Sequence, residues 1–210
     1  FGEDHKITLS CMHNLGDFYR DKGRIDLANE FMSKCYDKRQ AVLGTNHPDT
    51  LVSMCLVGAI LQEQGDFKKA EATLMESLQK MRLVLGEESH HVDFCIRQLC
   101  ELYDRWKQPN KTELFLTDIW HHRQTELGAD HTLTVRTLSD LIVFLLESDS
   151  LTKKVDSYLQ ELRKYEAVLD PAELFAIREK FLVMYARSGQ FDKAQAVNET
   201  IMRDLTTSYG

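Results

Sequence analysis

The side chains best equipped for chemistry lie between positions 90 and 122. His90-His91 and His121-His122 bracket Cys95 and Cys100, which together are the donor types of a zinc site. Zinc needs about four convergent ligands, whereas adjacent histidines on a helix point roughly 100° apart. The CxxC and HxxxH spacings that would bring ligands together are absent. The expectation is therefore loop and helix-end histidines, with no metal. Arg97 and Glu101, i to i+4, form either a groove ion pair, worth about 0.3–0.5 kcal/mol when exposed, or a ligand contact. There is no GxxxxGK phosphate loop, GxSxG elbow, HExxH pair or Rossmann glycine cluster. The expectation is a non-enzymatic chain without a cofactor.

The elements that would position these groups follow from an internal repeat. LGTNHPDTL at Leu43, LGEESHHVD at Leu85 and LGADHTLTV at Leu127 start 42 residues apart, and FGEDHKITL at Phe1 lies a further 42 back. A fifth unit begins in phase at Leu169, but its later landmarks arrive two residues early. Gly44, Gly86 and Gly128 follow long helical patterns, where a helix end favours a left-handed residue. Gly23, Gly65 and Gly189 mark tight mid-unit turns, and Pro48, Pro109 and Pro171 fall at helix starts. Gly16 and Gly58 sit inside apolar periodic runs, which points to close helix–helix approach. His5, His47 and His131 recur at one repeat position and read as structural loop residues.

Each unit therefore reads as helix, turn, helix, loop. The pattern predicts pairs at about 5–22 and 25–42, 48–64 and 67–84, 90–105 and 110–126, 131–147 and 151–168, and 171–187 and 191–206. A two-helix unit cannot cover its own apolar faces, but stacked neighbours can. The expected fold is all-α, a right-handed superhelical α-solenoid of about five pairs in one domain, with units of about 1–42, 43–84, 85–126, 127–168 and 169–210.

Composition narrows the function further. Hydrophobic residues are 43% and charged residues 28%, enough apolar content for a core. The net charge of −7 argues against a broad nucleic-acid-binding face. No apolar run approaches the roughly 20 residues of a membrane helix. Five cysteines at helical spacing without CxxC pairs suit a reducing compartment, so a cytoplasmic setting is expected. Phe1 opens in the middle of a motif, which reads as a fragment of a longer protein.

Leu15, Gly16, Tyr19 and Ala28 are spaced as in L-G-x-x-Y…A, and Val57, Gly58, Leu61 and Ala70 keep that frame. This pattern resembles the tetratricopeptide repeat. The 42-residue period and the LGxxHPDTL phrase resemble its kinesin-light-chain type. The resemblance implies a protein-interaction scaffold or adaptor whose concave groove, lined by the first helix of each pair, takes a partner peptide or helix. It also admits a regulatory or self-associating array in a larger signalling protein.

The implied groove positions lie on the side of the first helix opposite Leu15 and Tyr19. They are His13, Asp17 and Arg20; Cys55, Ala59 and Gln62; Arg97, Glu101 and Asp104; Ser139, Val143 and Leu146; Glu179, Val183 and Ala186. Asn14, the remnant of a paired asparagine, and Arg136 complete the candidate partner-binding residues. This lining holds two cations and four anions, unlike the basic grooves that kinesin light chains use for acidic cargo peptides. Val143 and Leu146 either meet an apolar partner segment or belong to the core. Trp106 and Trp120 read as packing residues.

Overall fold

The computed structural model describes residues 2–147, 153–165, 168–169 and 171–209. Among these residues every regular element is a helix. The chain divides into two compact units, residues 1–108 and 109–210. The first holds α1 (Lys6–Asp21), α2 (Ile25–Leu43), α3 (Pro48–Glu63), α4 (Phe67–Leu85) and α5 (His90–Arg105). The second holds α6 (Pro109–Glu126), α7 (Thr132–Glu147), α8 (Lys153–Tyr165), α9 (Pro171–Arg187) and α10 (Phe191–Tyr209). The boundary between the units falls inside the third sequence repeat, between α5 and α6.

The predicted helix ends hold closely, because the ends are encoded by local chemistry. The recurring histidines are N-caps. Nδ1 of His5, His47 and His131 accepts the backbone N–H of Ile7, Asp49 and Leu133 at 3.2, 3.1 and 3.3 Å. In the third repeat Ser89 takes the same place and accepts from His91 at 3.3 Å. Two spans differ from expectation. The last helix runs to Tyr209 rather than to 206, and α8 is Lys153–Tyr165. Positions 151–152 and 166–167 of the predicted eighth helix lie outside the described residues. The mid-unit turn needs a positive φ, which Gly65 supplies at 83°. The third repeat puts Lys107 there at 57°, a left-handed conformation that a side chain disfavours.

Packing explains the mid-helix glycines. A Cβ on Gly16 would stand 2.8 Å from Cε of Met32, and one on Gly58 would stand 2.7 Å from Cγ of Leu74. Both contacts join the two helices of a pair, so the missing side chain sets how closely those backbones approach. The second helix then meets the next first helix. Ala28 and Met32 of α2 form one buried cluster with Leu56 and Ile60 of α3, with Tyr19, Ile25, Val57 and Phe94 against it. In the first unit α3 packs on α1, α2, α4 and α5. In the second, α7 packs on α6, α8 and α9, and α9 pairs with α10. Trp106 stacks on Phe67 with ring centroids 5.8 Å apart, and Trp120 meets Tyr158 edge-on at 5.5 Å, so both tryptophans serve packing.

Gly58→Ala should destabilise the chain by about 1–3 kcal/mol in urea unfolding, because the branch carbon of Leu74 cannot swing aside as a flexible chain end can. Gly16→Ala should cost less, since its tightest neighbour is the terminal methyl of Met32. An equal or reversed order would refute this account of the contact.

Candidate functional site

The first-helix positions expected to share an open wall separate into three environments. The first is a buried polar joint. Arg39 of α2 is only 5% exposed, and its Nη1 donates to the Asp49 carbonyl and to Ser53 Oγ, both at 2.8 Å. Its third neighbour is Nδ1 of His13, at 3.3 Å, which also lies 3.2 Å from Ser53 Oγ. Burial, and next the Arg39 charge, hold the His13 pKa below its usual value. Asp17 on the same helix and Asp49 on α3 oppose that shift, and His91 on α5 adds to it. A neutral His13 is the state in which Nδ1 accepts from the guanidinium. His13 therefore joins α1, α2 and α3, and is half-buried rather than open.

The joint recurs at the repeat period with altered chemistry. Arg123, 84 residues on, donates to Thr137 Oγ1 at 2.8 Å and to the Leu133 carbonyl at 3.4 Å. Between them the same positions are Met81 and Cys95, both fully buried. A second linkage repeats as well. Cys35 Sγ donates to the Leu9 carbonyl at 3.2 Å, and Ser77 Oγ donates to the Leu51 carbonyl at 3.1 Å.

The second environment is closed core. Cys55, Ala59 and Gln62 were expected on the groove, but all three are buried, Gln62 at 2% exposure with no hydrogen-bond partner for its amide oxygen. The reason is geometric: α3 is covered from four sides, and a 16-residue helix so surrounded keeps little free face. A hydrogen bond with Cys95 and burial push the Cys55 thiol well up, so it stays protonated and inert. Ser139 and Leu146 of α7 are buried too, which places Leu146 in the core.

The third environment is open. In the first unit, Asn14, Arg97, Glu101 and Asp104 are exposed. Glu101 pairs with Arg105 at 3.8 Å and accepts from Gln98 at 3.5 Å, so of the two readings of Arg97 and Glu101 the ion pair is not the one formed. Asp17 pairs with Arg20 at 3.1 Å. Burial raises the pKa of Glu63, while Arg20 and Arg105 draw it back and Glu101 and Asp21 raise it further. The ends of α1, α3 and α5 thus lie within electrostatic reach of one another. In the second unit, half-buried Val143 lines a cleft of about 370 Å³ together with Val183, Met184, Glu147, Glu179, Lys180 and Arg187. Arg136 is half-buried on α7 and is not among the residues lining that cleft.

A larger hollow of about 550 Å³, between α8, α9 and α10, has an apolar floor that includes Leu162, Phe181 and Val197 and carries Arg163, Arg178 and Lys193. Sequence reasoning missed it because it considered first helices only, and most of this lining belongs to second helices. Among the described residues no group of three or more His, Cys, Asp or Glu side chains could hold a metal. The His90 and His91 rings instead lie against each other, 3.8 Å between centroids. No described helix is long and apolar enough to cross a membrane.

Comparison with known proteins agrees with this architecture. Residues 7–83 match the family profile described as the tetratricopeptide repeat. No curated protein matches the sequence significantly. Among solved structures, BtubC (BKLC) from P. vanneervenii superposes with a TM-score of 0.66 at 16% identity, covering 97% of this chain and 82% of that one. The nearly identical TPR-like repeats ascribed to a kinesin light chain of Podosopora anserina give 0.67 at 17% identity, covering 97% and 98%. A point variant of the latter gives 0.67 at 16% identity with full coverage of both chains. At such identities the likeness is one of fold.

Two outcomes follow from the joint. Because the folded-state pKa of His13 is depressed, its contribution is complete above the usual value of 6.5 and is lost as pH falls below that value through the folded one. The urea midpoint should therefore drop on acidification through this range, and His13→Asn should flatten that part of the profile; an unchanged profile would count against a neutral His13. Arg39→Ala should cost about 2–4 kcal/mol by emptying a buried site and stranding its acceptors. The double change Arg39→Met with Ser53→Cys, which copies the second repeat, should cost less than about 1.5 kcal/mol. Equal losses in the two variants would mean the repeat-two solution does not transfer.

Proposed function

We propose that this chain, which carries tetratricopeptide repeats over residues 7–83 and the kinesin-light-chain-like fold throughout, is a non-enzymatic adaptor. Repeats of this kind are generally protein–protein interaction modules. The partner is a peptide or helix that lies along the first-helix side, in a cytoplasmic setting. The observation that carries the reading is the cleft between α7 and α9. Val143 and Val183 occupy the groove positions of their repeats, yet they remain accessible while their neighbours Ser139 and Leu146 are buried. An apolar anchor seated there would remove that surface from water, and Glu147, Glu179, Lys180 and Arg187 would bracket it with both signs of charge.

The first unit offers a polar surface of its own. Asp17, Asp21, Glu63 and Glu101 outnumber Arg20 and Arg105 at the ends of its first helices. Taken by itself, this balance favours Lys or Arg in a segment that meets the first unit, where Asn14 and Arg97 would offer further polar contacts; Arg136 would do so in the second unit.

A random peptide library displayed on phage and selected on the intact chain tests this reading. Selected peptides should lose affinity at least about tenfold on Val143→Asp or Val183→Asp, with helicity by circular dichroism unchanged. Peptides that bind both variants as tightly as the parent would exclude the α7–α9 cleft.

A further inference from the structure

Among the described residues α2 packs on α3, α4 on α5 and α6 on α7, whereas a hollow of about 550 Å³ opens between α8 and α9, with α10 as its third wall. The hollow thus lies between the fourth and fifth pairs, at a junction that the earlier pairs close. The repeat positions show what differs there. Seven residues before Leu61, Tyr103 and Leu145 stand Met54, Ile96 and Leu138, all buried. Seven residues before Tyr185, in the wall of the hollow, stands Arg178. Eight residues after Ala70 and Thr112 stand Leu78 and Trp120, again buried. Eight residues after Val155, on the α8 wall, stands Arg163.

Both walls therefore carry a guanidinium where other repeats carry a sealing apolar side chain. Apolar side chains cannot close over such groups without stripping them of water, which is costly for an ion. Lys193 of α10 brings a third cation, its Nζ 5.6 Å above the Tyr185 ring. Arg178 and Lys193 also interact within the fold, but no described Asp or Glu lines the hollow, so its lining is positive. The floor beneath the cations is apolar, and includes Leu162 and Phe181, both buried. Small-molecule sites occupy roughly 300–1,000 Å³ and combine an apolar lining with a few polar groups that fix orientation, and this hollow has both properties.

We propose that the α8–α9–α10 hollow binds a small organic anion, with its apolar body on the floor and a carboxylate or phosphate head beside Arg163, Arg178 and Lys193. Charge complementarity selects this class of ligand. An anionic head accepts charge-assisted hydrogen bonds from guanidinium and ammonium groups, which a neutral molecule of the same shape cannot match. The apolar body in turn removes the floor from water, which a bare inorganic anion cannot do. The hollow shares no residue with the α7–α9 cleft, so the two sites stand or fall separately.

Fluorescence titration of the 210-residue chain with two dyes tests the proposal. Anilinonaphthalene sulfonate carries an anionic head, and phenylnaphthylamine is the same ring system without it. The anionic dye should bind at least roughly tenfold tighter than the neutral one. Decanoate or decyl phosphate should displace it, and which of them does so more readily identifies the preferred head. Inorganic phosphate at the same concentration should not. Arg163→Gln and Arg178→Gln should each weaken the anionic dye at least about fivefold and leave the neutral dye and the helicity unchanged. Lys193→Gln, at an exposed position where folding is not at stake, should act in the same direction. Equal affinity for the two dyes would overturn the proposal, as would parental binding of the anionic dye by all three variants, or displacement by inorganic phosphate as effective as by decanoate.

Discussion

From α2 to α7 the fold depends on the contact between the second helix of one pair and the first helix of the next. Met32 shows why. On one side it fills the space that the missing Cβ of Gly16 leaves open, and on the other it joins Leu56 and Ile60. A single pair would leave that second side in water, so its hydrophobic gain is incomplete until a neighbour arrives. Gly58 and Leu74 repeat the intra-pair half of the arrangement one period later. Stability is therefore a property of neighbouring pairs, and the spacing that glycine permits within a pair decides whether the next helix fits.

The joints that hold this contact are interchangeable in chemistry and fixed in position. Arg39 reaches a carbonyl, a hydroxyl and an imidazole; Arg123 reaches a carbonyl and a hydroxyl; Met81 with Cys95 fills the same place without a charge. A buried guanidinium must find its acceptors, so a slip of one helix along the next would strand it. The apolar version tolerates such a slip more readily. The arginine joints thus act on register as well as on stability, and the neutral imidazole of His13 makes the first of them sensitive to acid.

The same packing decides what is left for a partner. Each first helix gives up surface to its neighbours, and α3 gives up nearly all of it. What stays open includes charged groups at the ends of α1, α3 and α5, apolar side chains such as Ile7, Phe18 and Phe175, and the small opening beside Val143 and Val183. Within the second unit, the opening beside Val143 and Val183 is bracketed by Glu147, Glu179, Lys180 and Arg187, an apolar spot set among both signs of charge.

The amino-acid sequence by itself determined the helices, their pairing and the repeat. The cues for these are short-range: capping histidines, turn glycines, prolines at helix starts and the apolar period all act within a turn or two of where they stand. It also marked Gly16 and Gly58 as close-approach points, because a glycine inside an apolar helical run has few other uses. The tertiary structure alone decided which side of each first helix faces water. Helical periodicity names a face but not the number of neighbours on it, so Cys55, Ala59 and Gln62 passed for groove residues although α3 is covered on four sides. The contact of His13 with Arg39 is hidden from sequence for the same reason, since the two lie 26 residues apart and meet only when α2 folds back against α1. Exposure depends on contacts distant in sequence, and no local pattern records them.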